Sequence, residues 1–159
     1  MLCGLTQTSF RDLRDRLLGT TSITLRRRFE PPRSWGRKCQ TALKSIASHP
    51  SKASDTYYLK TYLQYFAGLS ESLGELHRVS KPSASIALVV QDSYYKDVHV
   101  DLAGIVVEMT RKLGWRLHNR HDYDVPTTIA ATNPNSRSYR DTFDAIESLL
   151  VFRKRGSAS

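Results

Sequence analysis

The chain has 159 residues, 40% of them apolar and 25% charged, with a formal net charge of +9. This length suits one compact domain, and the apolar content excludes a fully disordered chain. The longest apolar run, Ile86 to Val90, is far shorter than the roughly 20 residues of a membrane-spanning helix, so no membrane partner is expected.

Met1 to Phe10 contains no basic stretch leading into an apolar one, which leaves no visible secretory signal and points to a cytoplasmic protein. Cys3 and Cys39 form no Cys-x-x-Cys pair and read as free thiols of a reducing compartment. The charge is uneven: residues 1–50 hold ten Lys and Arg against three Asp and Glu, and the remainder is nearly balanced. Such a basic block suits either a phosphate backbone, whose counterions it releases, or a solvated face for an acidic partner.

In chain order, Ser9 is placed to cap a short helix over Phe10–Leu18, with Phe10, Leu13, Leu17 and Leu18 on one stripe and Gly19 as its stop. Arg26 to Lys38 mixes arginines, Phe29, Trp35 and the pair Pro31-Pro32, and reads as a basic loop. Ser45 to Asp55 reads as a polar linker. From Tyr57, apolar residues at Tyr58, Tyr62, Tyr65, Phe66, Leu69, Leu73 and Leu76 recur at helical steps to about Val79, with Asp55 as the cap. A turn at Lys81–Ala84 leads into Ser85–Val90, an apolar run that reads as a strand buried on both faces in a parallel sheet. Gln91, Asp92 and Ser93 follow at its carboxyl end, where open α/β sheets bind ligands. Asp92 and Ser93 are therefore either a functional edge or a polar turn.

Asp101 caps a second helix whose apolar face is Leu102, Ile105, Val106, Met109 and Leu113, and Gly114 terminates it. Trp115–Asp124 reads as a strand, Val125–Thr142 as a long loop, and Ala145–Lys154 as a final strand. The last two strands lack an intervening helix and are expected as an antiparallel pair at the edge of a largely parallel sheet. His118, His121 and Asp122 do not make a metal site, because strand positions three apart face opposite sides. His99 and Asp97 could pair as acid and base but imply no pocket.

Three stretches resemble the carboxyl-terminal half of a class I S-adenosylmethionine-dependent methyltransferase. They are Glu75 to Ala84, similar to the family's Glu-x-x-Arg-Val-Leu-Lys-Pro-Gly-Gly; Ile86 to Ser93, similar to a valine run ending in Gly-Asp-Ser; and Glu147 to Lys154, similar to its final strand Glu-Ser-x-Leu-Val-Phe-x-Lys. The third, following Ser136 to Arg140, resembles more narrowly the DNA enzymes that methylate exocyclic amino groups of adenine or cytosine, including those of restriction-modification. The chain departs from the pattern at Ser80, at Ser83-Ala84 in place of paired glycines, and at Gln91 in place of glycine.

The implied architecture is α/β: the closing half of a Rossmann-like methyltransferase sheet with antiparallel last strands over residues 55–155, behind a basic segment over 1–54. The resemblance implies DNA contacts at Arg26, Arg27, Arg28, Arg33, Arg37, Lys38, Arg137 and Arg140, although a solvated charge run explains the arginines as well. The eight glycines form no cofactor loop, and the one Pro-Pro, in Glu30-Pro31-Pro32-Arg33, is not the Asp/Asn/Ser-Pro-Pro-aromatic motif that receives a flipped base. No catalytic residue is therefore assigned. S-adenosylmethionine and methyl transfer are expected only when a second polypeptide supplies the missing half. The alternative is a noncatalytic methyltransferase-derived module that binds DNA or protein, or a truncated remnant. Half a sheet leaves an open edge, so the isolated chain is expected to self-associate.

Overall fold

The computed structural model describes residues 7–15, 17–20, 29–125 and 145–154. Four helices, α1 (Gln7–Asp15), α2 (Gly36–Ser48), α3 (Leu59–Val79) and α4 (Leu102–Lys112), accompany five strands, β1 (Ser85–Gln91), β2 (Ser93–Tyr95), β3 (Val98–Val100), β4 (Trp115–Val125) and β5 (Ala145–Lys154). The chain is thus mixed α/β.

The sheet differs from the expected parallel one. Its three strands lie in the order β1-β5-β4, with β5 antiparallel to both neighbours, so β1 and β4 run in the same direction on either side of it. The last two strands do pair antiparallel, as their direct succession predicts. β2 and β3 form a separate hairpin, turning through Lys96 at a φ of +58°.

The expectation that β1 is buried on both faces also fails. Its burial alternates along the strand: Ile86, Leu88 and Val90 join the core, while Ala87 and Val89 face outward. The physical reason is that the described helices cover one side of the sheet. α4 packs against β1 and β4, and α2 and α3 pack behind α4. The fully buried residues Phe66, Ile46, Ile105, Leu150, Phe152 and Trp115 center this core.

Local chemistry explains the helices. Asp101 caps α4 by accepting from the Gly104 amide at 2.7 Å, and Gly114 ends it at a φ of +96° that glycine adopts without strain. α3 buries Leu59, Leu63, Phe66, Leu69 and Leu73, so the stripe is set by leucines, whereas Tyr57, Tyr58 and Leu76 stay exposed. Asp55 does not cap this helix: it sits inside a π-helical turn, Ser54–Tyr58, that leads into α3 without a side-chain cap bond.

α2 replaces part of the expected basic loop and polar linker. It starts at Gly36, whose φ of +88° lets the chain turn, and its first amides are met from afar: the Lys38 amide donates to Glu108 Oε2 at 2.9 Å. Cys39, Ala42, Leu43 and Ile46 form its buried face. Burial and the Glu108 carboxylate push the Cys39 thiol up to about 12, which keeps it protonated and inert. Cys3 lies outside the described residues. α1 begins before Ser9, which therefore lies within the helix, and ends at Asp15; Phe10, Leu13, Leu17 and Leu18 are exposed.

Candidate functional site

The carboxyl end of β1 opens into a cavity of about 790 Å³ between α3 and the turn after α1, and both Asp92 and Ser93 line it. Two features of the chain put them there. The Asp92 amide donates to the Ile146 carbonyl at 2.9 Å, continuing the β1–β5 ladder one residue past the strand. Ser93 then starts the β2–β3 hairpin, in which it stands opposite Val100 and Tyr94 opposite His99.

The hairpin supplies a partner that sequence spacing did not assign. His99, on β3, meets Asp92 with Nε2 at 2.6 Å from Oδ2. The Asp92 side chain is only 7% exposed and the imidazole 46% exposed, so a buried carboxylate orients a solvent-facing ring. With the proton on Nε2, the imidazole donates to Asp92, and the ring itself is not among the residues that line the cavity. Asp97 takes no part in this pair; it bonds His49 Nε2 at 2.7 Å instead. A backbone hydrogen bond within Asp97, and then the bond from His49, hold its carboxyl below the ordinary range.

Tyr62 and Tyr65 of α3 form the opposite wall. Burial raises the Tyr62 hydroxyl, against a hydrogen bond with Ser93 that lowers it, and burial alone raises Tyr65. Both are neutral phenols at physiological pH. Asp15, Glu71, Glu75 and Asp92 are carboxylates of the lining, and no Lys or Arg is among the described lining residues. These acids repel phosphate, so this cavity does not suit a nucleic-acid backbone.

Behind the sheet end lies a charged network. Lys38 Nζ bonds Asp101 Oδ2 at 2.6 Å; the bond and the Asp101 charge raise the ammonium above its ordinary value. Burial favours a neutral Asp101, but the Lys38 bond, the Gly104 amide and the Lys38 charge outweigh it and hold the carboxyl down. Arg120 Nε donates to Asp122 at 2.7 Å and Ser148 Oγ donates to the same oxygen at 2.6 Å. Among the described residues, no group of three or more His, Cys, Asp or Glu could hold a metal ion.

The remaining candidate residues divide. Arg33 is exposed at the start of a short 3-10 turn, and Arg37 is exposed in the first turn of α2. Lys38 is committed to Asp101. Arg26, Arg27, Arg28, Arg137 and Arg140 lie outside the described residues, as does the loop 126–144. The structure therefore gathers Asp92 and Ser93 into one site, and Arg33, Arg37 and Lys38 are not among the residues that line it. His99 was named in the sequence with Asp97 as its partner; the structure gives it Asp92 instead, because the partner is fixed by a hairpin whose turn carries no glycine.

The three resemblance stretches meet in space. β1 pairs with β5 from Ser85 opposite Arg153 to Gln91 opposite Glu147. Lys154 then fastens the end of α3: its amide donates to the Ala84 carbonyl at 2.8 Å, and its ammonium donates to the His77 and Ser80 carbonyls at 2.6 and 2.8 Å. A cation on the last carbonyls of a helix complements its dipole. Glu75 and Arg78 pair on the surface at 2.8 Å. Among the described residues no helix is long and apolar enough to cross a membrane. Comparison with protein-family models, with curated proteins and with solved structures finds no match.

Proposed function

We propose that this chain is one component of a split DNA amino-methyltransferase. It supplies the closing half of the sheet and a basic DNA-contacting segment to a partner polypeptide that carries the cofactor loop and the catalytic motif. The observation that carries this reading is the mutual placement of Glu75–Ala84, Ile86–Ser93 and Glu147–Lys154. Residues far apart in sequence that resemble one family's motifs are neighbours here, joined by the β1–β5 ladder and by Lys154. The antiparallel setting of β5 fits a closing half, and the cavity at Asp92 and Ser93 lies where α/β sheets bind ligands.

In this assembly S-adenosylmethionine is held mainly by the partner. Asp92, oriented with His99, and Ser93, beside Tyr62, contribute the polar edge of the shared site. Arg33 and Arg37, with the basic run preceding them, meet DNA phosphates, so binding falls steeply with salt. The test mixes the purified chain, a candidate partner bearing an Asp/Asn/Ser-Pro-Pro-aromatic motif, duplex DNA and cofactor with a radiolabelled methyl group. Label in DNA only when both polypeptides are present is the expected result. Failure of every such partner to restore transfer overturns the reading and favours the noncatalytic module.

A further inference from the structure

The two edges of the sheet are unlike. The outer edge of β4 carries Arg116, His118, Arg120, Asp122 and Asp124 and a register break between Leu117 and Asn119. Charges and bulges of this kind block further strand addition. β1, Ser85 to Gln91, has no charged residue, no proline and no register break, and no strand pairs with its outer edge among the described residues.

The backbone direction along β1 follows from its flanking hydrogen bonds. Lys154 N donates to Ala84 O and Asp92 N donates to Ile146 O. Even-numbered residues therefore turn their amide and carbonyl toward β5, and Ser85, Ala87, Val89 and Gln91 turn theirs to the open edge. The same four are the exposed positions of the strand, with Val89 62% exposed.

We infer that two copies of this chain pair through these edges, antiparallel about a twofold axis at Leu88. The inference goes beyond the methyltransferase reading and stands without it. This register sets Ser85 opposite Gln91 of the second copy and Ala87 opposite Val89, so all four outward residues form hydrogen-bonded pairs at once. It is also complementary in charge. Arg153 lies beside Ser85 and Glu147 beside Gln91, so the row across the junction runs Arg153, Ser85, then Gln91 and Glu147 of the second copy. The two charges stand three strand spacings apart at the backbone, about 14 Å, at opposite ends of one row, and the twofold repeats the row at the other end. Ala87 and Val89, with Val151 and Leu149 beside them, make a continuous apolar band between the two charged rows. The product joins two three-stranded sheets into one.

Sedimentation equilibrium of the purified chain tests this, together with cross-linking of a Ser85→Cys/Gln91→Cys variant in a Cys3→Ser background. The expected results are a dimer at micromolar concentration, a disulfide-linked dimer from the double variant but not from either single variant, and a dissociation constant raised at least about tenfold by Val89→Lys, which sets like charges across the axis. Val89 points away from the core, so this variant folds, as circular dichroism verifies. A monomer at every concentration overturns the inference. A dimer that the double variant fails to cross-link overturns it as well. Neither outcome bears on methyl transfer, which is read separately with partner and DNA.

Discussion

β4 and β1 flank the same central strand, yet one ends the sheet and the other leaves it open. β4 spends its length on charge: Arg120, Asp122 and Ser148 of β5 tie together across it, and its register break distorts the ladder. β1 presents an uncharged ribbon without a register break, and its outward backbone groups have no strand partner among the described residues. The difference teaches that this sheet is built to grow in one direction.

The largest expected effect strikes what the two edges share. Phe152 is buried in β5, opposite Ile86 on one side and Leu117 on the other. Phe152→Ala is expected to destabilise by about 3–5 kcal/mol in chemical denaturation. A much smaller loss would mean that β5 does not hold the edges together. Next, Gly36→Ala combines a positive φ with a Cβ placed 2.6 Å from the Glu108 Cβ. A loss of more than about 1 kcal/mol is expected, because alanine is strained there and the Glu108 cap on α2 must move. Asp101→Ala removes the α4 cap and the Lys38 partner, and a loss of about 1 kcal/mol in urea midpoints is expected.

A smaller effect distinguishes the charged edge. The Arg120 bond first, and then the Ser148 bond, hold the Asp122 carboxyl below its ordinary value. A lowered folded value stabilises the protein above the unfolded pKa of about 3.9 and is lost as pH falls through the folded value. Melting temperature should therefore drop on acidification below about pH 4, and Asp122→Asn should reduce that drop. An unchanged acid profile in Asp122→Asn would show that the β4 ties carry no stability. Smallest of all, Val89→Thr on the open edge should change stability by less than about 0.5 kcal/mol. A core-sized loss there would mean that the outer face of β1 is covered.

Some of this was legible in the sequence because the signals are local. Asp101 and Gly114 bracket α4 with a cap and a stop, and its apolar residues recur at helical spacing, so its extent and buried face were readable. β4 and β5 followed from their apolar and alternating patterns. α2 was hidden because its cap, Glu108, arrives from 70 residues away, while Gly36-Arg37-Lys38 looks like loop. The surroundings of β1 were misread because an apolar run reports what a strand can bury, not how many faces this chain covers. Asp92 and Ser93 were found from their place at a strand end. His99 was assigned the wrong partner, Asp97 instead of Asp92, since Lys96 makes the hairpin turn in a left-handed conformation that its sequence does not announce.

The most direct test of the split-enzyme account is isothermal titration of S-adenosylmethionine into the chain, first alone and then with a polypeptide bearing the glycine-rich loop and the Pro-Pro-aromatic motif. The account predicts heat of binding for the mixture that exceeds that of the partner alone, and none for this chain by itself. Saturable binding by this chain alone, or binding by the partner that the chain leaves unchanged, would contradict it.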